Sequence, residues 1–274
     1  MDVLTAVLSP TNLPTAAIGG LLICVLIALP TWGVSLPLRD ASVADRVWSA
    51  FIAAPAVWYV WQLGSDARSA FMVAITLLWA LRLALHISIR NWGHGEDRRY
   101  QDMRQRNQPG FALKSLWLVF LLQAVLGWLV SLPFLAAAGP DRPVWGLLDT
   151  LGAVVAAAGV LMESVADAQL ARFRRAPRQA DRVLDTGLWR YSRHPNYFGE
   201  CCLWWGVAVM ALSAAGGAGV WCLVSPVLMT VLLLKVSGVS LLEKDIGERR
   251  PAYRDYVART SAFIPWPPKR KGAQ

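Results

Sequence analysis

The polar residues best suited to binding or catalysis lie at the edges of apolar runs, and the first group of them is a pair of carboxylates. Glu163 and Asp167 are four residues apart, so a helix places both on one face. Two like charges at that spacing destabilise an isolated helix. The pair therefore requires hydrogen-bond donors nearby, which a ribose or an amide could supply.

Residues 185–200 contain a second polar group of this kind. Gly187 and Pro195 mark the entry to an apolar helix, and Asn196 and Glu200 share one face of its first turns. An unpaired carboxylate at position 200 would be costly inside an apolar run. The pattern therefore predicts a hydrogen-bonding ligand or an arginine beside Glu200.

Between these two groups the sequence is rich in arginine, and this run has two possible roles. Arginine side chains bind a phosphate or pyrophosphate through paired hydrogen bonds. A basic loop lying on anionic lipid headgroups has the same composition. Composition alone leaves both readings open for Arg172, Arg174, Arg175, Arg178 and Arg182.

A third polar group begins within the third apolar run and continues beyond its end. Arg82, His86 and Arg90 recur every four residues, so a helix directs all three at a cavity or at polar partners. His94, Glu96 and Asp97 follow in a Gly-rich segment that lacks a second histidine, and we predict no metal site there. The four cysteines lie in apolar runs without metal-ligand spacing, which is typical of buried small side chains.

The elements that position these residues are apolar helices. The chain has 274 residues, of which 55% are apolar and 14 are Trp, which is too hydrophobic for a soluble domain of this length. A helix of about 20 apolar residues crosses a hydrocarbon core of about 30 Å. We predict an all-α polytopic membrane protein with one domain, residues 1–274, and seven spans near 15–37, 46–63, 69–89, 113–138, 144–164, 197–214 and 217–238.

Basic residues orient these spans. All of the 27 Lys and Arg residues except Arg68 and Arg142 fall on the side that alternating topology assigns to the cytoplasm. We therefore place the amino terminus outside and the carboxyl terminus inside, and read the first apolar run as a retained helix. The net charge of +9 then reflects topology and predicts no nucleic-acid partner. Ala- and Arg-rich usage favours a bacterial inner membrane, and no obligate protein partner is inferred.

Over residues 80–266 the chain resembles the steroid 5α-reductase family, most closely its bacterial branch. The resemblance rests on four motifs, which are Arg90-Asn91-x-Gly-x-Gly-Glu96-Asp97-x-Arg99-Tyr100, Glu163-Ser-Val-Ala-Asp167 with Arg174, Gly187-Leu-Trp-Arg-Tyr-Ser-Arg-His-Pro-Asn196-Tyr197-Phe-Gly199-Glu200, and Tyr253-Arg254 with Tyr256 ahead of Phe263-Ile-Pro265.

This resemblance implies a membrane reductase whose later helices enclose NADPH on the cytoplasmic side. The substrate would be a lipid-soluble small molecule, a steroid or isoprenoid enone. No Gly-x-Gly-x-x-Gly unit between a strand and a helix is present, so the cofactor would not be held as in a Rossmann fold. The implied cofactor contacts are Arg90, Asn91, Glu96, Asp97, Arg99, Glu163, Asp167, Arg174, Arg182, Asn196, Tyr197, Glu200, Lys235 and Arg254.

The chain departs from the family pattern at the substrate carbonyl. Steroid-reducing eukaryotic members use a Glu on the second span and a Tyr on the third, where this sequence has Ala53 and Ile87. We expect another group to polarise the carbonyl, and the candidates are His86, Tyr59 and Asp45.

Two other functions remain open from the sequence. Isoprenylcysteine carboxyl methyltransferases carry a similar Arg-His-Pro-x-Tyr segment and would use it, with the terminal segment, for S-adenosylmethionine. A non-catalytic membrane protein would use the arginine loops only for anionic lipid headgroups. Asp167 and Arg174, which lie upstream of the shared segment, favour the reductase.

Overall fold

The computed structural model describes residues 13–139, 144–175, 182–236, 239, 243 and 251–269. All regular structure in these ranges is helical, as the sequence predicts. The principal helices are α1 (Leu13–Leu38), α2 (Val43–Val47), α3 (Ala50–Leu63), α4 (Ala67–Arg90), α5 (Arg98–Arg106), α6 (Phe111–Ala137), α7 (Leu147–Arg175), α8 (Pro195–Ala215), α9 (Val224–Val231) and α10 (Pro251–Arg259).

Among the residues that the structure describes, five helical segments are long and apolar enough to cross a membrane, which supports an integral membrane protein. They are α1, α4, α6, α7 and the continuous stretch Pro195–Val236. Large apolar side chains on them are exposed, for example Leu26 at 66% and Leu78 at 61%. Exposed apolar surface of this extent suits lipid rather than water.

The predicted number of seven spans is not confirmed. At about 1.5 Å per residue, the 14 residues of α3 extend about 21 Å, short of a hydrocarbon core of about 30 Å. The predicted sixth and seventh spans lie in one 42-residue helical stretch. Within it, Gly216 has a φ of 58°, and Trp205 Nε1 donates to Thr230 Oγ1 at 3.2 Å. The stretch therefore folds back on itself.

The chain divides into two compact units. The first comprises residues 1–149 and 210–225, and the second comprises residues 150–209 and 226–274. In the first unit, Gly19 and Gly20 allow α1 and α3 to approach closely. A Cβ at either position would lie within 2.7 Å of the Trp58 or Tyr59 side chain. Glycine contacts of this kind let helices pack tightly in lipid, where packing rather than the hydrophobic effect drives association.

Helix α4 begins at a capping box. The Asp66 side chain accepts from the Ser69 backbone N–H at 2.8 Å, and Ser69 Oγ accepts from the Asp66 N–H at 2.9 Å. These reciprocal bonds satisfy backbone donors that have no partner within the helix. The start of the helix is thereby fixed one residue before Arg68.

The position of Arg68 differs from the prediction, which began the third span at residue 69 and left Arg68 in a loop. It is the second residue of α4 and is 1% exposed, and its guanidinium binds Asp149 through Nε at 2.5 Å and Nη2 at 2.9 Å. Asp149 is fully buried and also accepts from the Gly146 N–H and Ser213 Oγ. A charge this deeply buried needs a partner of opposite sign, which Asp149 provides.

Helix α7 also differs from expectation. The predicted fifth span ends at 164 and the basic residues from 172 onward were read as a loop, but the helix continues to Arg175. The change from apolar to polar composition marks where lipid contact ends. A helix need not end there, because its backbone hydrogen bonds are internal.

The Arg68–Asp149 pair generates a stability prediction. Arg68→Met or Asp149→Leu alone leaves a buried charge unpaired and should cost about 3 to 5 kcal/mol of unfolding free energy. The double variant removes both charges and should recover much of that loss. Thermal unfolding of the purified protein in detergent measures all three, with exposed Arg106→Met as the control. Additive losses in the double variant would contradict the assignment.

Candidate functional site

The second unit brings the predicted carboxylates together through a backbone contact between α7 and α8. A Cβ added at Gly159 would lie 2.5 Å from the Gly199 carbonyl oxygen, and one at Gly199 would lie 2.6 Å from the Gly159 carbonyl oxygen. Likewise, a Cβ at Gly206 would lie 2.5 Å from the Gly152 carbonyl oxygen. Any larger residue at these positions would separate the helices.

This contact places the acidic face of α7 beside the start of α8. Asn196 Nδ2 donates to Asp167 Oδ1 at 3.1 Å. Glu163, Asp167 and Glu200 are 3%, 6% and 6% exposed. Asp167 thus receives an amide donor, one of the two kinds of donor expected for the carboxylate pair, and three carboxylates are buried in this part of the unit. Carboxylates accept hydrogen bonds, so the cluster suits a ligand rich in hydroxyl or amide donors.

The loop before α8 is bound to the same part of α7. Trp189 Nε1 donates to the Ala166 carbonyl oxygen at 3.1 Å, and the Leu188 N–H donates to Gln169 Oε1 at 3.1 Å. Gly187 has a φ of 60°, and a Cβ there would lie 2.5 Å from the Gln169 amide nitrogen. Glycine is therefore required at this turn for both its conformation and its space.

The basic candidates of the second unit are exposed. Arg174 lies in the last turn of α7, and the Arg182 guanidinium lies 5.0 Å from the centroid of the Phe173 ring. Lys235 and Arg254 are also exposed. Exposed guanidinium groups near buried carboxylates suit a ligand with phosphate at one end and hydroxyl groups at the other.

Arg193 and His194 lie in a different setting, at a junction with the carboxyl-terminal segment. Arg193 Nε and Nη2 bind the two oxygens of Glu243 at 2.7 and 2.8 Å, and Nη1 donates to the Thr260 carbonyl oxygen at 2.5 Å. His194 Nε2 lies 3.0 Å from Glu243 Oε1, and its ring stacks on Tyr197 with centroids 5.6 Å apart. Glu243 was not predicted as a site residue from the sequence. The adjacent basic residues Arg193 and His194 were the signal that a carboxylate partner was needed.

The charge on Glu243 depends on this junction. Burial alone would raise the pKa of Glu243, but hydrogen bonds from Arg193 and His194 outweigh it and lower the pKa from 4.5 to about 2. Its stabilising contribution is therefore complete above pH 4.5 and is lost as the pH falls toward 2.

The first unit holds the remaining candidates, beginning with the stripe on α4. Arg82, His86 and Arg90 lie on one continuous helix, as predicted, and the first two are half-buried. Arg90 Nε donates to Asn91 Oδ1 at 3.0 Å, and Asn91 caps the helix. Arg90 is exposed, which leaves its guanidinium accessible from outside the protein.

Glu96 and Asp97 are engaged by protein groups. Glu96 accepts from Arg104 Nε at 2.8 Å and from the Ala41 N–H at 2.8 Å. Burial acts to raise the pKa of Glu96, but these bonds outweigh it and lower the pKa. Asp97 caps α5 and accepts from Arg99 Nε at 3.0 Å. Both carboxylates thus hold the 91–106 segment in place, and a role in cofactor binding stays a prediction.

Asp45 and Tyr59, two of the candidates for carbonyl polarisation, are also engaged by protein groups. Asp45 accepts from Arg99 Nη2 at 2.8 Å and from the Tyr100 hydroxyl at 2.6 Å. Tyr59 is fully buried and accepts from Ser131 Oγ at 3.4 Å. Among the three candidates, His86 and Asp45 are half-buried, whereas Tyr59 is fully buried.

An apolar groove of about 620 Å³ lies in the first unit, between α1, α3 and α4. Its one hydroxyl, Ser49 Oγ, donates to the Ala80 carbonyl oxygen at 2.9 Å. Alanines leave the space open, and one of them is Ala53, the position where a Glu was expected. The alanine lining comprises Ala50, Ala53, Ala54, Ala80 and Ala84. Such a groove suits hydrocarbon, since its walls are almost entirely apolar.

The Glu243 junction generates a pH prediction. Glu243→Gln should lower the unfolding free energy at pH 7 by about 1.5 to 3 kcal/mol, because hydrogen bonds to a charged group are weakened. The difference from wild type should shrink between pH 4.5 and 2, where the wild-type carboxylate becomes protonated. Thermal unfolding across this range measures the effect, with exposed Asp255→Asn as the control. A difference that does not vary with pH would exclude the ionised junction.

Three comparisons place this structure among known proteins. An uncharacterized protein of Schizosaccharomyces pombe is 24% identical over 273 residues, covering 90% of this chain and 78% of its own length. No solved structure matches the chain. A family model matches residues 31–260, which include all of the helices α2 to α10. The chain therefore belongs to the family described as "Protein of unknown function (DUF1295)".

Proposed function

We propose that this protein is an NADPH-dependent membrane reductase of the steroid 5α-reductase type. It saturates a C=C bond conjugated to a carbonyl in a lipid-soluble substrate. The observation that carries the proposal is the Asn196–Asp167 contact, in a cluster with buried Glu163 and Glu200 where α7 meets α8. Burying three carboxylates in one part of the unit is costly, and a ligand that offers several hydrogen-bond donors would explain it.

The residues present fit the proposed cofactor by their chemistry. Ribose hydroxyls and a carboxamide are hydrogen-bond donors, and a buried carboxylate is stabilised by such donors. Phosphate requires cations with paired donors, which Arg174 and Arg182 provide at exposed positions. We propose that Asp167, Asn196 and Glu200 bind the ribose and nicotinamide groups, and that the arginines bind phosphate.

When bound, NADPH supplies a hydride to the β-carbon of the enone. The chain's own task is to stabilise the negative charge that develops on the carbonyl oxygen, until the α-carbon takes a proton. With Ala53 and Ile87 in place of the expected acid pair, we propose that His86 donates the hydrogen bond to that oxygen. Tyr59 and Asp45 remain the other candidates; Tyr59 accepts from Ser131 Oγ, and Asp45 accepts from Arg99.

The apolar groove supports a substrate with a long or fused hydrocarbon body. Its walls are alanine, leucine, isoleucine, valine and tryptophan, and it lies among helices that suit lipid. A lipid-soluble molecule could enter such a groove from the bilayer without crossing water. We propose a steroid or isoprenoid enone as the substrate class.

The orientation in the membrane belongs to the same proposal. With seven spans, an external amino terminus and a cytoplasmic carboxyl terminus, the carboxylate cluster and the exposed arginines face the compartment that supplies NADPH. Placing the chain in a bacterial inner membrane rests on its composition.

The methyltransferase reading is less well supported. It would use residues 193–197 and the terminal segment to bind S-adenosylmethionine. Arg193 is instead bound to Glu243 and to the Thr260 carbonyl oxygen, so its donors already serve to join the two segments. Headgroup binding alone does not explain the buried acidic cluster, because anionic lipids would repel it.

The cofactor assignment generates a binding prediction. Glu200→Gln and Asn196→Ala each remove a charged or paired hydrogen-bonding group, and each should raise the Kd for NADPH by about 10- to 100-fold. Titration of the purified variants by NADPH fluorescence measures this. Asp255→Asn, an exposed carboxylate of the same unit, should bind like wild type. If both site variants fold and retain wild-type affinity, the assignment is wrong.

The proposed role of His86 is tested separately. His86→Ala should lower the rate of NADPH-dependent enone reduction at least about tenfold while NADPH binding persists, because an oxyanion donor typically contributes about 10²–10³ in rate. His94→Ala is the matched control, since His94 is an exposed histidine shortly after the end of the same helix. Wild-type turnover in His86→Ala would show that this histidine is structural.

A further inference from the structure

The carboxyl-terminal segment presents apolar side chains to the outside, although its backbone is firmly attached. Ile264 is 61% exposed and Trp266 is 70% exposed. Tyr191, on the loop before α8, is 42% exposed. Large apolar side chains that a rigid segment holds at its surface are typical of a contact with a partner or a membrane.

Three contacts fix the position of these side chains relative to the start of α8. The Trp266 N–H donates to the Tyr191 carbonyl oxygen at 2.9 Å, and Ser192 Oγ donates to the Phe263 carbonyl oxygen at 2.7 Å. The Phe263 ring meets the Phe198 ring edge-on, with centroids 5.6 Å apart. Phe198 belongs to the first turn of α8, the start of a candidate membrane span. The exposed side chains therefore lie level with the end of that span.

Basic side chains accompany the apolar ones. Arg190 is exposed and its guanidinium lies 6.0 Å from the centroid of the Tyr191 ring. Lys269 is exposed, and its N–H donates to the Arg259 carbonyl oxygen at 3.0 Å. The sequence continues with Arg270 and Lys271. The carboxylate of Asp185, in the loop before α8, is paired with Arg259.

We propose that Tyr191, Ile264 and Trp266, together with Arg190 and Lys269, form a docking surface for anionic phospholipid headgroups of the membrane that the chain spans. Tryptophan and tyrosine favour the boundary between headgroups and hydrocarbon, where the ring is apolar and its edge can bond to water or lipid. Lysine and arginine beside them bind the phosphate of the headgroup. We call these five residues the interfacial patch.

The interfacial patch also gives the terminal segment a role in the site. The same segment carries the Thr260 carbonyl oxygen that binds Arg193, and its Tyr256 hydroxyl donates to the Trp189 carbonyl oxygen at 2.5 Å. Trp189 in turn is bound to α7 beside Asp167. Lipid bound at the patch would therefore hold the loop that precedes Asn196.

Lipid selectivity tests the proposal. The full chain is reconstituted in vesicles of phosphatidylcholine with phosphatidylglycerol, and electron spin resonance of labelled lipids gives the relative association of the two headgroups. Wild type should favour phosphatidylglycerol. Arg190→Gln and Lys269→Gln should each reduce that preference by about fivefold at low salt. Arg106→Gln, an exposed basic residue of α5, is the matched control.

A second measurement locates the aromatic part of the patch. A photoreactive benzoylphenylalanine at position 266 should form adducts with phospholipid in these vesicles, whereas one at exposed Gln105 of α5 should not. Unchanged phosphatidylglycerol preference in both charge variants, or adducts at 266 with protein alone, would overturn the proposal. The second outcome would instead indicate another copy of the chain as the occupant.

Discussion

The backbone contact between α7 and α8 is the constraint on which the candidate site depends. Gly159 and Gly199 meet with no side chain between them, and Gly206 repeats the contact one heptad along α8. In lipid, helices gain little from the hydrophobic effect, so close packing of this kind has to hold them together. Because the contact fixes the separation of the two backbones, it also fixes the distance between Asp167 on one helix and Asn196 on the other.

Electrostatic pairing completes what this packing begins. The second unit joins its loop at 187–194 to the terminal segment through Arg193 and Glu243, and an extended set of backbone bonds supports the same junction. In the first unit, Arg68 and Asp149 form a fully buried pair. Buried pairs of this kind contribute little net stability but penalise arrangements that separate them. They therefore specify positions more than they strengthen the fold.

The sequence predicts the helical class, the start of α8 and the shared faces at 163/167 and 196/200, because each follows from local spacing or from Pro195. It does not predict the Arg68–Asp149 pair, since 81 residues separate the partners and no local pattern connects them. The extension of α7 to Arg175 was also missed, because hydropathy reports lipid contact and not where a helix ends. The glycines became informative only when the structure showed what each one faces.

Ligand-dependent thermal stabilisation tests the central claim most directly. The purified chain is unfolded alone, with NADPH and with S-adenosylmethionine. A ligand at 100 times its Kd should add about 2.7 kcal/mol to the unfolding free energy. The reductase account predicts this gain with NADPH, its loss in Glu200→Gln, and no gain with S-adenosylmethionine. Stabilisation by S-adenosylmethionine without any response to NADPH would contradict the account.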